Sequence, residues 1–225
     1  MTLREASARF LEHLKLEDSH AEGESHPQTQ TLDHLTSCMP EAGVSELTPA
    51  RLRDFIARWY VEQTNHTPEP EALLVSLAQL LKWIDTNTGS TLAESCRPVI
   101  AELRESLPRA LEITAALSTH VRARGAFGFP EFLTSFEEGG SSEYDLGTGG
   151  SVGAVDGYFR ISRIEGTQVE AQELISNERV WPVIFPAEAA ALLGTGYVIN
   201  LEVVRSSDGW RIAACGFAYP PGTEF

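Results

Sequence analysis

The chain has 225 residues, with 32 acidic and 17 basic side chains and a formal net charge of −15. Its length fits two domains of unequal size better than one average domain. So acidic a chain is repelled by nucleic-acid backbones and anionic membranes unless basic residues cluster locally, and the sequence contains no such cluster. The opening residues lack an apolar signal region, and no apolar run is long enough to span a bilayer. We therefore expect a cytoplasmic protein that contacts neither nucleic acid nor membrane.

The cysteines and histidines give no pattern typical of a metal or redox site. Cys38, Cys96 and Cys215 are odd in number, lie far apart and match neither a C-x-x-C motif nor a disulfide framework. We expect them to be small buried residues. His20 and His26 lie among carboxylates in the polar stretch 17–30, but their spacing matches no metal motif, so a solvated loop is favoured there. We predict no metal, no cofactor and no catalytic residues.

The first half of the chain is predicted to be helical. An opening helix from about 3 to 16 is followed by a short helix around Leu32 to Met39 and by two longer helices within 48–86. Thr48 is a good N-cap, and Pro49 suits the first helical position. Each of the two longer helices has a wide apolar stripe, and a short loop joins them. The two stripes are therefore expected to bury each other.

A third helical stretch, 90–124, completes the predicted bundle. Pro98 and Pro108 each remove a backbone donor and clash with the preceding turn, which predicts two or three segments or a kinked rod. Its apolar stripe is expected to pack on the 48–86 pair rather than form a dimerising coiled coil. We therefore predict an all-α bundle domain over residues 1–125.

The apolar pattern of residues 3–90 resembles the core-binding domain of tyrosine recombinases, the phage-integrase-type enzymes. The residues that carry the resemblance are Phe10, Leu11, Leu47, Thr48, Phe55, Trp59, Lys82, Trp83 and Ile84. The resemblance implies a SAM-like helical fold, which in that family clamps DNA in front of a separate catalytic domain. The family's catalytic residues have no counterpart in this sequence, which contains no His-x-x-Arg. The resemblance therefore implies the fold without the recombinase chemistry.

A change of composition separates the two predicted domains. Residues 126–155 form an aromatic segment followed by a Gly/Ser-rich linker. The segment contains Phe127, Phe129, Phe132 and Phe136, and its Gly and Pro residues prevent a regular helix from hiding these rings. We expect the four phenylalanines to dock the barrel onto the helices or, when released, to form an interaction patch for a partner. The glycine-rich stretch 147–153 is not followed by the Lys-Ser/Thr pair that ends a phosphate-binding loop.

Residues 156–225 are predicted to form a small five-stranded antiparallel β-barrel. Five β-rich runs are separated by turn signals, and PAEAAALL at 186–193 predicts a short helix between the third and fourth strands. That order favours an OB-like barrel slightly over an SH3-like one. In the fourth strand, the alternation places Tyr197, Ile199, Leu201 and Val203 inward. The fold class is therefore α+β in two domains.

The aromatic residues of the barrel admit two interpretations. OB folds stack nucleic-acid bases on aromatic side chains beside a basic groove, but basic residues are outnumbered here, so packing is favoured over stacking. The sequence thus predicts a non-enzymatic interaction or accessory protein with an unidentified protein partner and an undetermined oligomeric state. The alternative is a nucleic-acid-associated regulator that uses the recombinase-like bundle and the OB-like barrel.

Limited proteolysis tests the predicted division. We expect the first cut between about 137 and 155, because an exposed Gly/Ser-rich segment is the preferred substrate of a protease. Circular dichroism should then show one helical and one β fragment. A helical C-terminal fragment would contradict the predicted boundary.

Overall fold

The computed structural model describes residues 1–17, 27–39, 42–63, 69–123 and 153–225. The chain divides into two compact units, Met1–Leu107 and Pro108–Phe225. The described part of the first unit is helical, and the second contains a closed barrel of five strands. The α+β class, with an N-terminal helical region and a C-terminal small barrel, is confirmed.

The first unit is built from amphipathic helices at the predicted positions. They are α1 (Leu3–Glu17), α2 (Pro27–Cys38), α3 (Pro49–Asp54), a π-helical turn (Phe55–Trp59), α4 (Tyr60–Glu62), α5 (Pro70–Thr88) and the first part of α6 (Leu92–Ala123). The Thr48 hydroxyl accepts a hydrogen bond of 3.2 Å from the Arg51 N–H, and Pro49 begins α3, as the sequence predicts. The apolar stripes of α3 and α5 are buried, which accounts for the helical fold of this unit.

The turn between α5 and α6 is fixed by one carboxylate. Asp85 accepts hydrogen bonds from the N–H groups of Leu92 (2.8 Å) and Ala93 (2.9 Å), and so caps the start of α6. Gly89 ends α5 at φ +70°, a conformation that favours glycine. Burial alone would raise the pKa of Asp85, but hydrogen bonds from Ser90, Ala93 and Leu92 outweigh it and lower the pKa. The two helices therefore run back along each other from a fixed connection.

Helix α6 passes through both of its prolines. Of the two expected alternatives, the division into two or three segments is wrong, since Leu92–Ala123 is one helix of 32 residues, and the kinked rod stays a prediction. An interior proline costs about 3 kcal/mol, which burial of the apolar stripe offsets at roughly 1.5–3 kcal/mol per large side chain. The buried residues of this stripe keep helical spacing on both sides of Pro108: Cys96, Val99, Ile100, Leu103, Leu107, Ala110, Ile113, Leu117 and Val121.

The second half of α6 belongs to the barrel core. Ala110, Ile113, Leu117 and Val121 are buried in the same hydrophobic cluster as the barrel strands. The expectation that the whole 90–124 stripe packs in the helical bundle is therefore wrong for residues 108–123. The compact units divide at Leu107, whereas the sequence placed the end of the helical domain at 125. Most of the predicted linker, 126–155, lies outside the described residues.

The barrel contains five strands and one short helix. They are β1 (Ala154–Glu165), β2 (Gln168–Glu173), β3 (Arg179–Ile184), α7 (Ala187–Leu192), β4 (Val198–Ser206) and β5 (Gly209–Tyr219). The strand order is β1-β2-β3-β5-β4, and β4 pairs with β1 to close the ring. The inward residues predicted for β4 and the loop before it, from Tyr197 to Val203 at every second position, are all buried.

The prediction of a fully antiparallel barrel is wrong. Four strand pairs are antiparallel, but β3 and β5 run parallel, with Val183 beside Trp210 and Ile184 beside Arg211. A closed ring with an odd number of strands cannot alternate direction at every step. Five strands that close therefore require a parallel pair, and here it lies between β3 and β5.

Helix α6 covers the edge of β5 that β3 leaves unpaired. The parallel pairing with β3 involves only the start of β5, whereas β4 pairs along the opposite edge of β5 as far as Tyr219. Near the end of β5, the Ala218 N–H donates a hydrogen bond of 2.8 Å to the Thr114 hydroxyl. That hydroxyl in turn donates to the Ala110 carbonyl oxygen at 3.0 Å. A helical side chain thus replaces a strand partner at this position.

Replacing Thr114 with Val tests whether the hydrogen bond between α6 and β5 stabilises the barrel. The Thr114→Val variant keeps the shape of the side chain and leaves the Ala218 N–H without its acceptor, so we expect a loss of about 1–3 kcal/mol in the free energy of unfolding. Thr119→Val is the matched control, since the exposed Thr119 hydroxyl donates to the Ala115 carbonyl oxygen in the same way. Urea denaturation followed by tryptophan fluorescence measures both. Equal losses in the two variants would show that the barrel contact contributes nothing.

Candidate functional site

Two tryptophan–arginine pairs lie on the outside and rim of the barrel. The Arg163 guanidinium lies 5.1 Å from the ring centroid of Trp181, and the Arg205 guanidinium lies 5.9 Å from that of Trp210. Both distances fall in the range of cation–π attraction. We call the surface formed by Arg163, Trp181, Arg205 and Trp210 the Trp–Arg surface. It uses four of the five strands.

The parallel contact between β3 and β5 brings the backbone near Trp210 close to the backbone near Trp181. Trp210 lies beside Val183 in the register, and Gly209 packs against Pro182, the residue after Trp181. A Cβ on Gly209 would lie 2.6 Å from the Pro182 carbonyl oxygen, and its φ is +127°. Only glycine therefore allows the β4–β5 hairpin to approach β3 this closely.

Trp181 is exposed to an extent unusual for its size. It keeps 37% of its surface accessible, although the flanking core residues Val180 and Val183 are fully buried. Val180 points inward and the next residue, Trp181, therefore points outward, while a register shift between β2 and β3 allows Val183 to point inward again. Trp210 is half-buried and packs against the barrel core. Trp181 is thus the tryptophan of the surface with more area left to contact another molecule.

One arginine of this surface, and one beside it, are paired with carboxylates. Arg163 forms an ion pair with Glu165, and Arg211 forms one with Asp208 at 3.4 Å. All four side chains are about half exposed or more, so these pairs contribute little to stability but neutralise the local charge. The Trp–Arg surface is therefore aromatic and polar rather than strongly basic.

A second feature of the barrel is a group of carboxylates on β1, β2 and β4. Asp156 lies opposite Glu202 in the register of β1 and β4. Burial, followed by the charge of Asp156, raises the pKa of Glu202. Burial also raises the pKa of Asp156, against a hydrogen bond from Gly157, and the charge of Glu173 adds to the rise. Like charges face each other here, an arrangement that destabilises an antiparallel pair.

Glu173 differs from this pair because one oxygen of its carboxylate accepts three hydrogen bonds. It is 4% exposed and accepts hydrogen bonds from the N–H groups of Ile175 (2.9 Å) and Ser176 and from the Ser176 hydroxyl (2.7 Å). Burial alone would raise its pKa, but the hydrogen bonds from Ser176, Ile175 and Leu174 hold the pKa below its usual range. Its side chain packs against Gly157, where a Cβ would lie 2.6 Å from Oε1. Glu173 therefore organises the β2–β3 turn.

The cysteines have the environment expected of packing residues. Cys96 and Cys215 are buried, whereas Cys38 is half-buried. Burial raises the pKa of all three thiols, and that of Cys215 rises to about 11 despite the Ser118 hydroxyl and the charge of Arg122. A raised pKa disfavours the thiolate, the reactive form. None of the three is prepared to act as a nucleophile at neutral pH.

Several sequence predictions fall outside the described residues. These are the proposed patch of Phe127, Phe129, Phe132 and Phe136, the pair His20 and His26, and nearly all of the glycine-rich stretch before β1. Within the described ranges, no group of three or more His, Cys, Asp or Glu side chains is placed to hold a metal ion.

Sequence reasoning grouped Trp181 and Trp210 with the packing aromatics and missed the surface that they form with Arg163 and Arg205. The alternation within RVWPVI pointed to an outward Trp181. No local pattern pointed to the contact between β3 and β5.

Comparisons of the chain with protein-family models, curated proteins and solved structures found no significant match. Among the helices that the structure describes, none is long and apolar enough to cross a membrane. The Trp–Arg surface and its surroundings are therefore the features of the described residues that bear on function.

The facing carboxylates give a pH-dependent prediction. Because the pKa of Glu202 is raised in the folded state, the stability that its protonated form confers is present below about pH 4 and is lost as the pH rises through the folded pKa. We expect Glu202→Gln to raise the free energy of unfolding by about 0.2–1 kcal/mol at pH 7 and to lose this advantage below about pH 4.

Glu188→Gln is the charge-matched control. It removes one acid from the exposed first turn of α7, where a carboxylate is favourable, so its effect at pH 7 should be zero or slightly destabilising. Urea titrations of both variants across pH give the comparison. A Glu202→Gln variant that is destabilised at pH 7 would contradict the assigned repulsion.

Proposed function

We propose that this chain is a cytoplasmic, non-enzymatic interaction protein whose barrel binds a protein partner through the Trp–Arg surface. The observation that carries the proposal is the exposure of Trp181 beneath the Arg163 guanidinium. Tryptophan and arginine dominate the energetic centres of protein interfaces, because a large ring and a planar cation bury much area with few rotatable bonds. An outward tryptophan on a rigid strand is already positioned for such contact.

The charge of the surface favours a protein over a nucleic acid. Nucleic-acid binding draws most of its affinity from phosphate contacts that release counterions. Here Arg163 and Arg211 are paired with carboxylates, and the whole chain carries −15. A protein partner can exchange these ion pairs for others across an interface, whereas a phosphate chain would meet the acids as well as the arginines.

The surroundings support a binding role rather than catalysis. The thiols have raised pKa values, and the low-pKa carboxylate of Glu173 is occupied by backbone and hydroxyl donors. Asp156 and Glu202 face each other without a described nucleophile or cation between them. Among the described residues, these groups therefore form no nucleophile–base pair of the kind that covalent catalysis uses.

The strand order supports an OB-like rather than an SH3-like barrel. The helix between β3 and β4, which favours an OB-like fold from the sequence, is α7, and the strands follow the order β1-β2-β3-β5-β4. OB folds bind ligands on the face of strands 2 and 3 and on the adjacent loops. Trp181 lies on β3, which agrees with this use of the barrel.

The second candidate is a nucleic-acid-associated regulator. The exposed Trp181 favours it, because single-stranded bases stack on aromatic rings with little sequence preference. The recombinase-like pattern of residues 3–90 stays a prediction that belongs to this candidate. The paired arginines weigh against it, since stacking alone lacks the electrostatic contribution.

Substitution of Trp181 tests the preferred function. We expect Trp181→Ala to abolish recovery of a partner when the tagged full chain is used for affinity capture from its native cell extract, since a central interface tryptophan contributes about 2 kcal/mol or more. Ile175→Ala is the matched control, because Ile175 is 85% exposed on the same barrel but lies off the surface. Capture should survive nuclease treatment.

Fluorescence anisotropy with a labelled single-stranded oligonucleotide separates the two candidates. The preferred function expects no sub-micromolar binding at physiological salt. Salt-sensitive binding that Trp181→Ala removes would instead establish the second candidate. Partner capture that Trp181→Ala and Ile175→Ala leave equally intact would contradict a role for the Trp–Arg surface.

A further inference from the structure

The first unit contains a groove between α5 and α6 that the barrel surface does not explain. Its volume is about 300 Å³, at the lower end of small-molecule sites. The lining consists of Ala78, Leu81, Lys82, Ala93, Arg97, Ile100, Ala101 and Arg104. Three of these residues are cations, and none is an acid. In a chain with 32 acidic and 17 basic residues, such a lining is the reverse of the average surface.

Small side chains create the groove. Ala78 on α5 and Ala93 and Ala101 on α6 leave space that larger residues would fill, while Leu81 and Ile100 supply its buried apolar walls. The Asp85 cap fixes the turn at which α5 ends and α6 starts. The groove is therefore a feature of a defined helical hairpin.

The cations are arranged unequally along the groove. Because α5 and α6 run antiparallel from the turn at Gly89, Lys82 lies at about the level of Arg97, near the turn. Arg104 lies seven residues further along α6, about 10 Å away. Arg104 is paired with Glu71 at 3.4 Å, whereas Lys82 and Arg97 form no ion pair among the residues that the structure describes.

We propose that this groove binds a free medium-chain fatty carboxylate. Its head group lies between Lys82 and Arg97, and its alkyl chain follows Leu81, Ala78, Ile100 and Ala101 toward Arg104. A carboxylate satisfies the two cations that lack a described acid, and the apolar walls exclude water from the chain. The site is separate from the Trp–Arg surface, so the failure of either assignment leaves the other intact.

Isothermal titration calorimetry of the full chain with decanoate, below its micelle-forming concentration, tests the proposal. We expect one decanoate per chain with a Kd on the order of 10–100 µM, as is typical of a ligand of this size. Decanol has the same chain without the charge and should bind at least about tenfold more weakly. No decanoate binding up to millimolar concentration, or equal affinity for decanol, would overturn the proposal.

Substitutions in the groove test where the head group and the alkyl chain of the ligand lie. We expect Lys82→Gln and Arg97→Gln each to weaken decanoate binding by up to about fivefold and to leave decanol binding unchanged. Arg104→Gln is the matched control with the same charge change in the same groove, and it should retain the affinity. Ala101→Trp fills the groove and should abolish binding of both ligands.

Far-UV circular dichroism confirms that each variant is folded, and the exposed charge variants keep the test decisive if Ala101→Trp fails to fold. Decanoate affinity that survives both Lys82→Gln and Arg97→Gln would overturn the head-group site. Binding only to anionic vesicles would assign the groove to a membrane surface instead. A concentration-dependent dimer that decanoate does not dissociate would assign it to a second copy of the chain; either result overturns the fatty-carboxylate site.

Discussion

A closed ring of five strands cannot alternate direction throughout, and this constraint organises the second unit. The parallel contact falls between β3 and β5 and involves only the start of β5. The rest of that edge would expose unpaired backbone groups, which proteins do not leave uncovered. Residues 108–123 of α6 cover it, with four apolar side chains in the barrel core and the Thr114 hydroxyl on the Ala218 N–H. The helix therefore covers the part of the β5 edge that the closed ring of strands leaves unpaired.

The same constraint positions the Trp–Arg surface. The short parallel contact brings Pro182 against Gly209, and so places Trp181 and Trp210 on neighbouring strands. Trp210 then lies beside Arg205 from the adjoining β4, and Trp181 lies beside Arg163 from β1, across β2. The aromatic surface is thus a consequence of how the ring closes rather than of any continuous motif in the sequence.

Much of the fold follows from sequence patterns because local patterns report local structure. Period-2 alternation located the strands, and proline and glycine located their ends, so the five strands and the helix before β4 were predicted. No local sequence pattern indicates that β3 and β5 run parallel. The prediction of a closed five-stranded barrel nevertheless already required one parallel pair. The continuity of α6 was missed because proline was weighed without the buried stripe on both sides of it. Little of the candidate site was predicted, since its residues come from four separate strands.

Net charge is an average over the whole chain, and it describes the local charge of only one of the two surfaces. At the barrel, Arg163 is paired with Glu165 and the nearby Arg211 with Asp208, so the acidic average describes the surroundings of these two arginines correctly. Between α5 and α6, Lys82 and Arg97 lie beside apolar walls and no acid lines the groove, so the average describes it wrongly. A charge total bears on long polyanions, which contact many side chains at once and feel the whole surface. It says little about a ligand with one charge, because such a ligand feels only the few side chains within a Debye length, about 8 Å at physiological salt.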